Sequence, residues 1–152
     1  MTPRNNRIAA VAALATAIAI PAEGLRQFAY YDPPGILTVC YGHTGNVVTG
    51  KTYSLDECKA LLTEDMAKAV AQVEACHPGL PVQIHAAFAD AAFNLGPKVA
   101  CDSTASRYLA SGKYIEACNE LPRWNKARVA GVLVPLPGLT KRRAKEMALC
   151  LA

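Results

Sequence analysis

The chain has 152 residues, enough for one domain with a substantial core, and its 16 basic against 12 acidic side chains give a net charge of +4. An apolar share of 52% beside 18% charged residues excludes a disordered or collagen-like chain. The positive excess suits an anionic polymer or surface, yet Lys141-Arg142-Arg143 is the densest basic cluster, so no nucleic-acid partner is expected.

The first segment reads as an export signal. Arg4 and Arg7 precede Ile8 to Ala22, a stretch without charge. As helix its fifteen residues would reach about 22 Å, short of the ~30 Å hydrocarbon core. Eight of them are Ala, so the segment can be exported but holds a membrane weakly. This sets residues 1–22 apart from a domain spanning 23–152.

Gly24 to Tyr30 mixes apolar and polar positions as a helix end would. Asp32-Pro33-Pro34-Gly35 is a turn, with Pro34 and Gly35 in the central places of a type II turn. Ile36 to Tyr41, β-branched and aromatic, predicts a strand, and Val47 to Thr49 a further short one. Ser54 with Glu57 is a capping box. Leu61, Leu62, Met66, Ala69 and Val73 then follow at helical spacing, predicting one long helix over about Leu55–Ala75 that His77-Pro78-Gly79 stops. Shorter helices are expected over Val82–Leu95, Ser103–Ala110 and Tyr114–Leu121, and a last one from Lys141, capped by Thr140. Lys126 to Pro137 is apolar, proline-broken and unassigned. The fold class is α+β, mostly helical: a small β-hairpin lobe, a long linking helix and an all-α lobe.

Six dispersed cysteines, with no Cys-x-x-Cys pair, read as disulfides and hence an oxidising compartment; six buried thiols in a cytosolic protein is the alternative. Cys40-x-x-His43 is a close pair of ligand type, but no further ligand lies at metal-site spacing, and no metal or cofactor is expected.

Glu23, Asp32 and Thr38 fall at a helix end, a turn and a strand, which a hairpin can fold towards one cleft. Glycoside hydrolysis needs one carboxylic acid for the leaving oxygen and one carboxylate on the other face, and a hydroxyl can orient water. Spacing alone is weak support. The literal string is stronger: Glu23-Gly24-Leu25-Arg26, Tyr30-Tyr31-Asp32, Gly35, then Thr38 through Gly45. Ala92-Phe93-Asn94-Leu95-Gly96 and Gly138-Leu139-Thr140-Lys141-Arg142-Arg143 follow in order. Together these closely resemble the phage lysozymes of glycoside hydrolase family 24.

The resemblance implies a two-lobed lysozyme-like fold and an endolysin that hydrolyses, with inversion, the β-1,4 bond between N-acetylmuramic acid and N-acetylglucosamine. It implies Glu23 as general acid, with Asp32 and Thr38 positioning water. Asn94, Trp124 and Arg143 fall at substrate-side positions, Arg143 matching an arginine that pairs with the catalytic Glu; Gly42 and His43 hold the strand of Thr38. Trp124 as simple core, and Arg143 bound to a helix end or a surface carboxylate, are the plainer readings of those side chains. Six cysteines allow 15 connectivities. Placement favours Cys40–Cys58 from strand to long helix, Cys76–Cys101 between helix ends, and Cys118–Cys150 between two C-terminal helices.

The N-terminal segment is also similar to signal-arrest-release anchors, which are exported, tethered inactive and freed uncleaved. Cleavage after Ala22 would leave Glu23 with no preceding turn to hold it. With no cysteine among residues 1–39, restraint in the tethered state must be geometric. The expected partners are peptidoglycan and, before release, the inner membrane through residues 8–22; the chain then acts as a soluble periplasmic monomer. Three rivals stay open: a wall-binding module without activity, a lytic transglycosylase, and a holin-like membrane protein.

Overall fold

A computed structural model describes residues 2–152. Helix α1 (Pro3–Glu23) opens with Thr2 as its cap, accepting from the Asn5 N–H at 3.2 Å, and with Pro3 in the first turn, where its missing N–H costs nothing. Strands β1 (Arg26–Tyr31), β2 (Leu37–Cys40) and β3 (His43–Thr44) form an antiparallel sheet in sequence order. Helix α2 (Leu55–Cys76) has both halves of its Ser54–Glu57 capping box. Helices α3 (Val82–Leu95), α4 (Lys98–Cys101), α5 (Thr104–Ala110) and α6 (Tyr114–Glu120) follow, then a hairpin of β4 (Lys126–Val129) and β5 (Val132–Pro135), then α7 (Pro137–Cys150).

Helix α3 is the hub. Every residue from Ile84 to Ala92 is buried, and a helix apolar nearly all round must be enclosed. Its many alanines let α1, α2 and α7 approach closely. Helix α1 meets this hub through Val11, Ala15 and Ala19, spaced four apart and without exposed surface. Arg7 fastens the other end: Nη2 donates to Glu74 Oε1 at 2.6 Å and Nη1 to the Leu80 carbonyl at 3.2 Å. In this conformation the N-terminal segment is part of the core. Its helix runs without a break past Ala22 to Glu23, and its 21 residues extend over about 31 Å, more than the apolar stretch alone suggests.

Several local expectations are corrected. Gly24 to Tyr30 is not a helix end: Gly24, at φ +69°, stops α1 after Glu23, and β1 begins two residues later. The turn lies one residue earlier than read, with the Gly35 N–H donating to the Asp32 carbonyl at 2.8 Å. Val47–Thr49 is not a strand; the sheet's third strand is His43–Thr44. The helical lobe is not all-α, because Lys126–Pro135 pairs as a hairpin around Ala130 and Gly131, both at positive φ. Helix α7 starts at Pro137, preset for a first turn, so Thr140 lies inside it rather than at its cap.

Disulfides join β2 to α2 (Cys40–Cys58, Cα–Cα 4.9 Å), α2 to α4 (Cys76–Cys101, 5.7 Å) and α6 to α7 (Cys118–Cys150, 5.7 Å). The last closes the longest loop, 32 residues. Its replacement by two alanines should lower unfolding free energy by about 3–4 kcal/mol on the chain-entropy account. Chemical denaturation beside wild type checks this, and an unchanged midpoint would show that the cross-link adds nothing.

Candidate active site

Glu23 is the last residue of α1, so the packing of α1 on α3 fixes its place beside Gly42, between β2 and β3. Its carboxyl has two neighbours. Oε1 accepts from Arg142 Nη1 at 2.5 Å. Oε2 lies against Gly42, where any Cβ would come within 3.0 Å of it at a backbone φ of +75°. Glycine at this position is therefore a requirement of the glutamate's placement.

Asp32 and Thr38 share one anchor. The Ile36 carbonyl accepts from the Asp32 N–H at 3.0 Å and from Thr38 Oγ1 at 2.9 Å, while the Ile36 N–H donates to Asp32 Oδ1 at 2.7 Å. The hairpin thus fixes one carboxylate oxygen and spends the threonine's only proton. Oδ2 of Asp32 and the lone pairs of Thr38 remain to receive hydrogen bonds. Thr38 is nearly enclosed between Tyr30 of β1 and Thr44 of β3.

These side chains meet at an open cleft of about 440 Å³, lined by Glu23, Asp32, Thr38, Gly42 and Asn94. Asp65, Lys68 and Gln72 of α2 also line it, together with Tyr30, Thr44 and Phe93. The α2 trio had a readable signal: polar residues at i, i+3 and i+7 share one face of a helix whose other face is core. His43 lies outside the cleft lining, Nδ1 against Asp65 Oδ2 at 2.7 Å, tying β3 to α2. With Cys40 bonded to Cys58 and His43 held by Asp65, that pair is spent on structure.

Two substrate-side expectations are corrected. Arg142, not Arg143, meets Glu23. Adjacent helical residues point about 100° apart, and Arg143 turns inward. It has no exposed surface; its Nε and Nη2 donate to Glu146 at 2.7 and 2.6 Å, and Nη2 also reaches Asn94 Oδ1 at 2.9 Å. Arg143 therefore bears on the cleft only by steadying Asn94. Trp124 packs against the core outside the cleft lining, and its carbonyl accepts from Arg143 Nη1 at 3.3 Å.

Beneath Glu23 lies a buried charge cluster. Arg142 Nε and Nη2 donate to the two oxygens of Asp90 at 2.9 and 2.8 Å. Burial opposes the charge on Arg142, but the Asp90 and Glu23 carboxylates outweigh it and raise its pKa, so it stays cationic. Burial pushes Glu146 up to about 9, a hydrogen bond with Asp90 adding to the rise and Arg143 opposing it. Asp90 did not stand out in the sequence, and Arg142 only as part of a basic cluster and a motif, since charged residues on helices usually face water.

Comparison with known proteins agrees with this architecture. The phage lysozyme family matches residues 21–146. The SAR-endolysin (signal-arrest-release) of Bacteriophage PS119 is 37% identical over 131 residues, 85% of this chain and 76% of that protein. The muramidase domain of SpmX from Asticaccaulis excentricus has TM-score 0.80 and 30% identity over 94% of this chain and 95% of its own. The P1 phage endolysin Lyz, 26% identical, matches in its active form at TM-score 0.78 over 91% of this chain and 83% of that one. Its secreted inactive form reaches only 0.52, over 70% and 74%. With a family match from residue 21 to 146 and a cleft of this make-up, the chain belongs to the phage lysozyme family and is a glycosidase of the muramidase type.

Proposed function

We propose that this endolysin hydrolyses the β-1,4 bond between N-acetylmuramic acid and N-acetylglucosamine in bacterial peptidoglycan, with inversion, and so lyses its host. The observation that carries the reading is the convergence of Glu23, Asp32 and Thr38, from three separate elements, on one open cleft. Glu23 gives a proton from Oε2, the oxygen Arg142 leaves free, to the departing sugar oxygen. Water approaches the anomeric carbon from the opposite face, donating hydrogen bonds to Asp32 Oδ2 and Thr38 Oγ1. The Asp32 carboxylate takes up the proton as the new C–O bond forms. All of these groups come from one chain, so a monomer suffices.

Asp32→Ala and Thr38→Ala should each retain the fold and lose activity, Asp32→Ala by ~10²–10⁴ and Thr38→Ala by less. The order follows from chemistry: the carboxylate accepts a proton, while the hydroxyl only aims the water. Reducing-end release from purified peptidoglycan measures this, and a folded Asp32→Ala enzyme with near wild-type rate would remove Asp32 from the mechanism.

We further propose that residues 1–22 act as the export and release segment of the 23–152 lysozyme domain. The segment tethers the chain to the inner membrane facing the periplasm, and the packed α1 is its released form. Helix α1 supports this reading by being long and apolar enough to cross a membrane, and by ending on Glu23. A helix held in lipid carries Glu23 away from Asp32 and Thr38; a helix docked on α3 assembles all three.

A further inference from the structure

Asp90 sits in the middle of α3 with no exposed surface, among Ala86, Ala87, Phe88, Ala89 and Ala91. A charged group in such a place is costly unless fully paired. Stability does not ask for it, since well-packed apolar residues often replace buried ion pairs at no loss. Its two oxygens are both given to Arg142, and the remaining nitrogen of that guanidinium is given to Glu23. The arrangement is a buried carboxylate acting on a cleft carboxyl through one flat cation.

We propose that Asp90 is a positioning residue for glycosidic cleavage: it aims Arg142 at Glu23 and offsets the guanidinium charge, so that Glu23 can hold a proton and recover it after each turnover. The inference rests on Glu23 being the general acid. A cation at hydrogen-bond distance favours the ionised form of a carboxyl group, which works against proton donation. Asp90 supplies an equal and opposite charge along the other edge of the same plane. The two-point grip also fixes that plane, directing Nη1 to Oε1 and leaving Oε2 on the Gly42 side.

Other charged or titratable groups face this region without bonding to Arg142. Asp32 from the hairpin turn, Tyr30 from β1, and Asp65 and Lys68 from α2 line the cleft with Glu23. On α7 itself Glu146 holds Arg143 in a two-point pair and also faces Asp90, whose hydrogen bond and charge help to raise its pKa. Among the described residues, Asp90 is the one carboxylate that both hydrogen-bonds Arg142 and stays out of the cleft lining.

The test is the pH–rate profile of peptidoglycan hydrolysis for Asp90→Asn, Arg142→Gln and the double variant, each with a thermal melt. Asp90→Asn leaves Arg142 uncompensated, so the alkaline fall of kcat should move to lower pH by about one to three units. Adding Arg142→Gln removes that cation and should return the fall to the wild-type position or above. A role confined to packing would not be rescued by deleting a second partner. If Asp90→Asn does not fold, the double variant, with a neutral Asn–Gln pair, still decides. An unmoved profile in folded Asp90→Asn, or a double variant whose fall lies below wild type, overturns the proposal. Glu23→Gln separates the two readings: if it is active, Glu23 is not the acid; if it is inactive while Asp90→Asn keeps the wild-type profile, only the role of Asp90 fails.

Discussion

Glu23→Gln should abolish peptidoglycan hydrolysis while its melting midpoint stays close to that of wild type. The amide has the size of the carboxyl, still offers an oxygen to Arg142, and fits the space beside Gly42, where a Cβ would lie 3.0 Å away. Arg142 keeps both bonds to Asp90, so no buried charge is orphaned. What disappears is the transferable proton. Loss of a positioned acid–base group typically costs ~10²–10⁴ in rate. Wild-type-like cleavage by the folded variant would end the mechanism. A variant that fails to fold would instead place Glu23 among the structural ions, against its one-fifth side-chain exposure.

A second large effect is expected from leucine in α1, and the structure separates its two causes. Ala13 and Ala17 face outward, whereas Ala15 and Ala19 are fully buried in the core. Each Ala→Leu change adds three carbons, at ~0.8 kcal/mol apiece in lipid. The Ala13/Ala17 pair should therefore hold the membrane more tightly by roughly 5 kcal/mol without disturbing the docked helix. The Ala15/Ala19 pair adds the same hold and also overpacks the released fold, by about 1–3 kcal/mol per site. The first pair should slow release and the second should lock the chain in the membrane. Release also carries Arg4 and Arg7 outward against the membrane potential, about 2.3 kcal/mol for each charge per 100 mV, so an uncoupler should speed it. Fractionation before and after uncoupling reads all three. If both leucine pairs reach the soluble fraction as readily as wild type, or if soluble protein begins at Glu23 or later, the release model is wrong.

Much of this was legible in the residues. The capping box at Ser54, the apolar period through Val73 and the stop at His77-Pro78 place α2 to within a residue of its observed Leu55–Cys76. The hairpin at Lys126–Pro135 was hidden because its turn uses Ala130 at φ 51°, where Asn or Asp would have announced it. The choice between Arg142 and Arg143 turned on helix phase. Cys150 is buried seven residues beyond Arg143, hence on the same face, and a reading that followed that face would have sent Arg143 inward and left Arg142 as the candidate for the cleft. Asp90 was beyond pattern: nothing in an alanine-rich helix tells a buried carboxylate from a solvated one until its partner, 52 residues on, is in place.

The central claim is that water, activated across the cleft from Glu23, cleaves the bond on the muramic acid side. Mass spectrometry of the fragments released from purified peptidoglycan tests it directly. The account predicts chains ending in hydrated, reducing N-acetylmuramic acid. Ends in 1,6-anhydromuramic acid would mean cleavage without water, as a lytic transglycosylase performs it. Ends in N-acetylglucosamine would mean that the other bond is cut, and either result would contradict the mechanism.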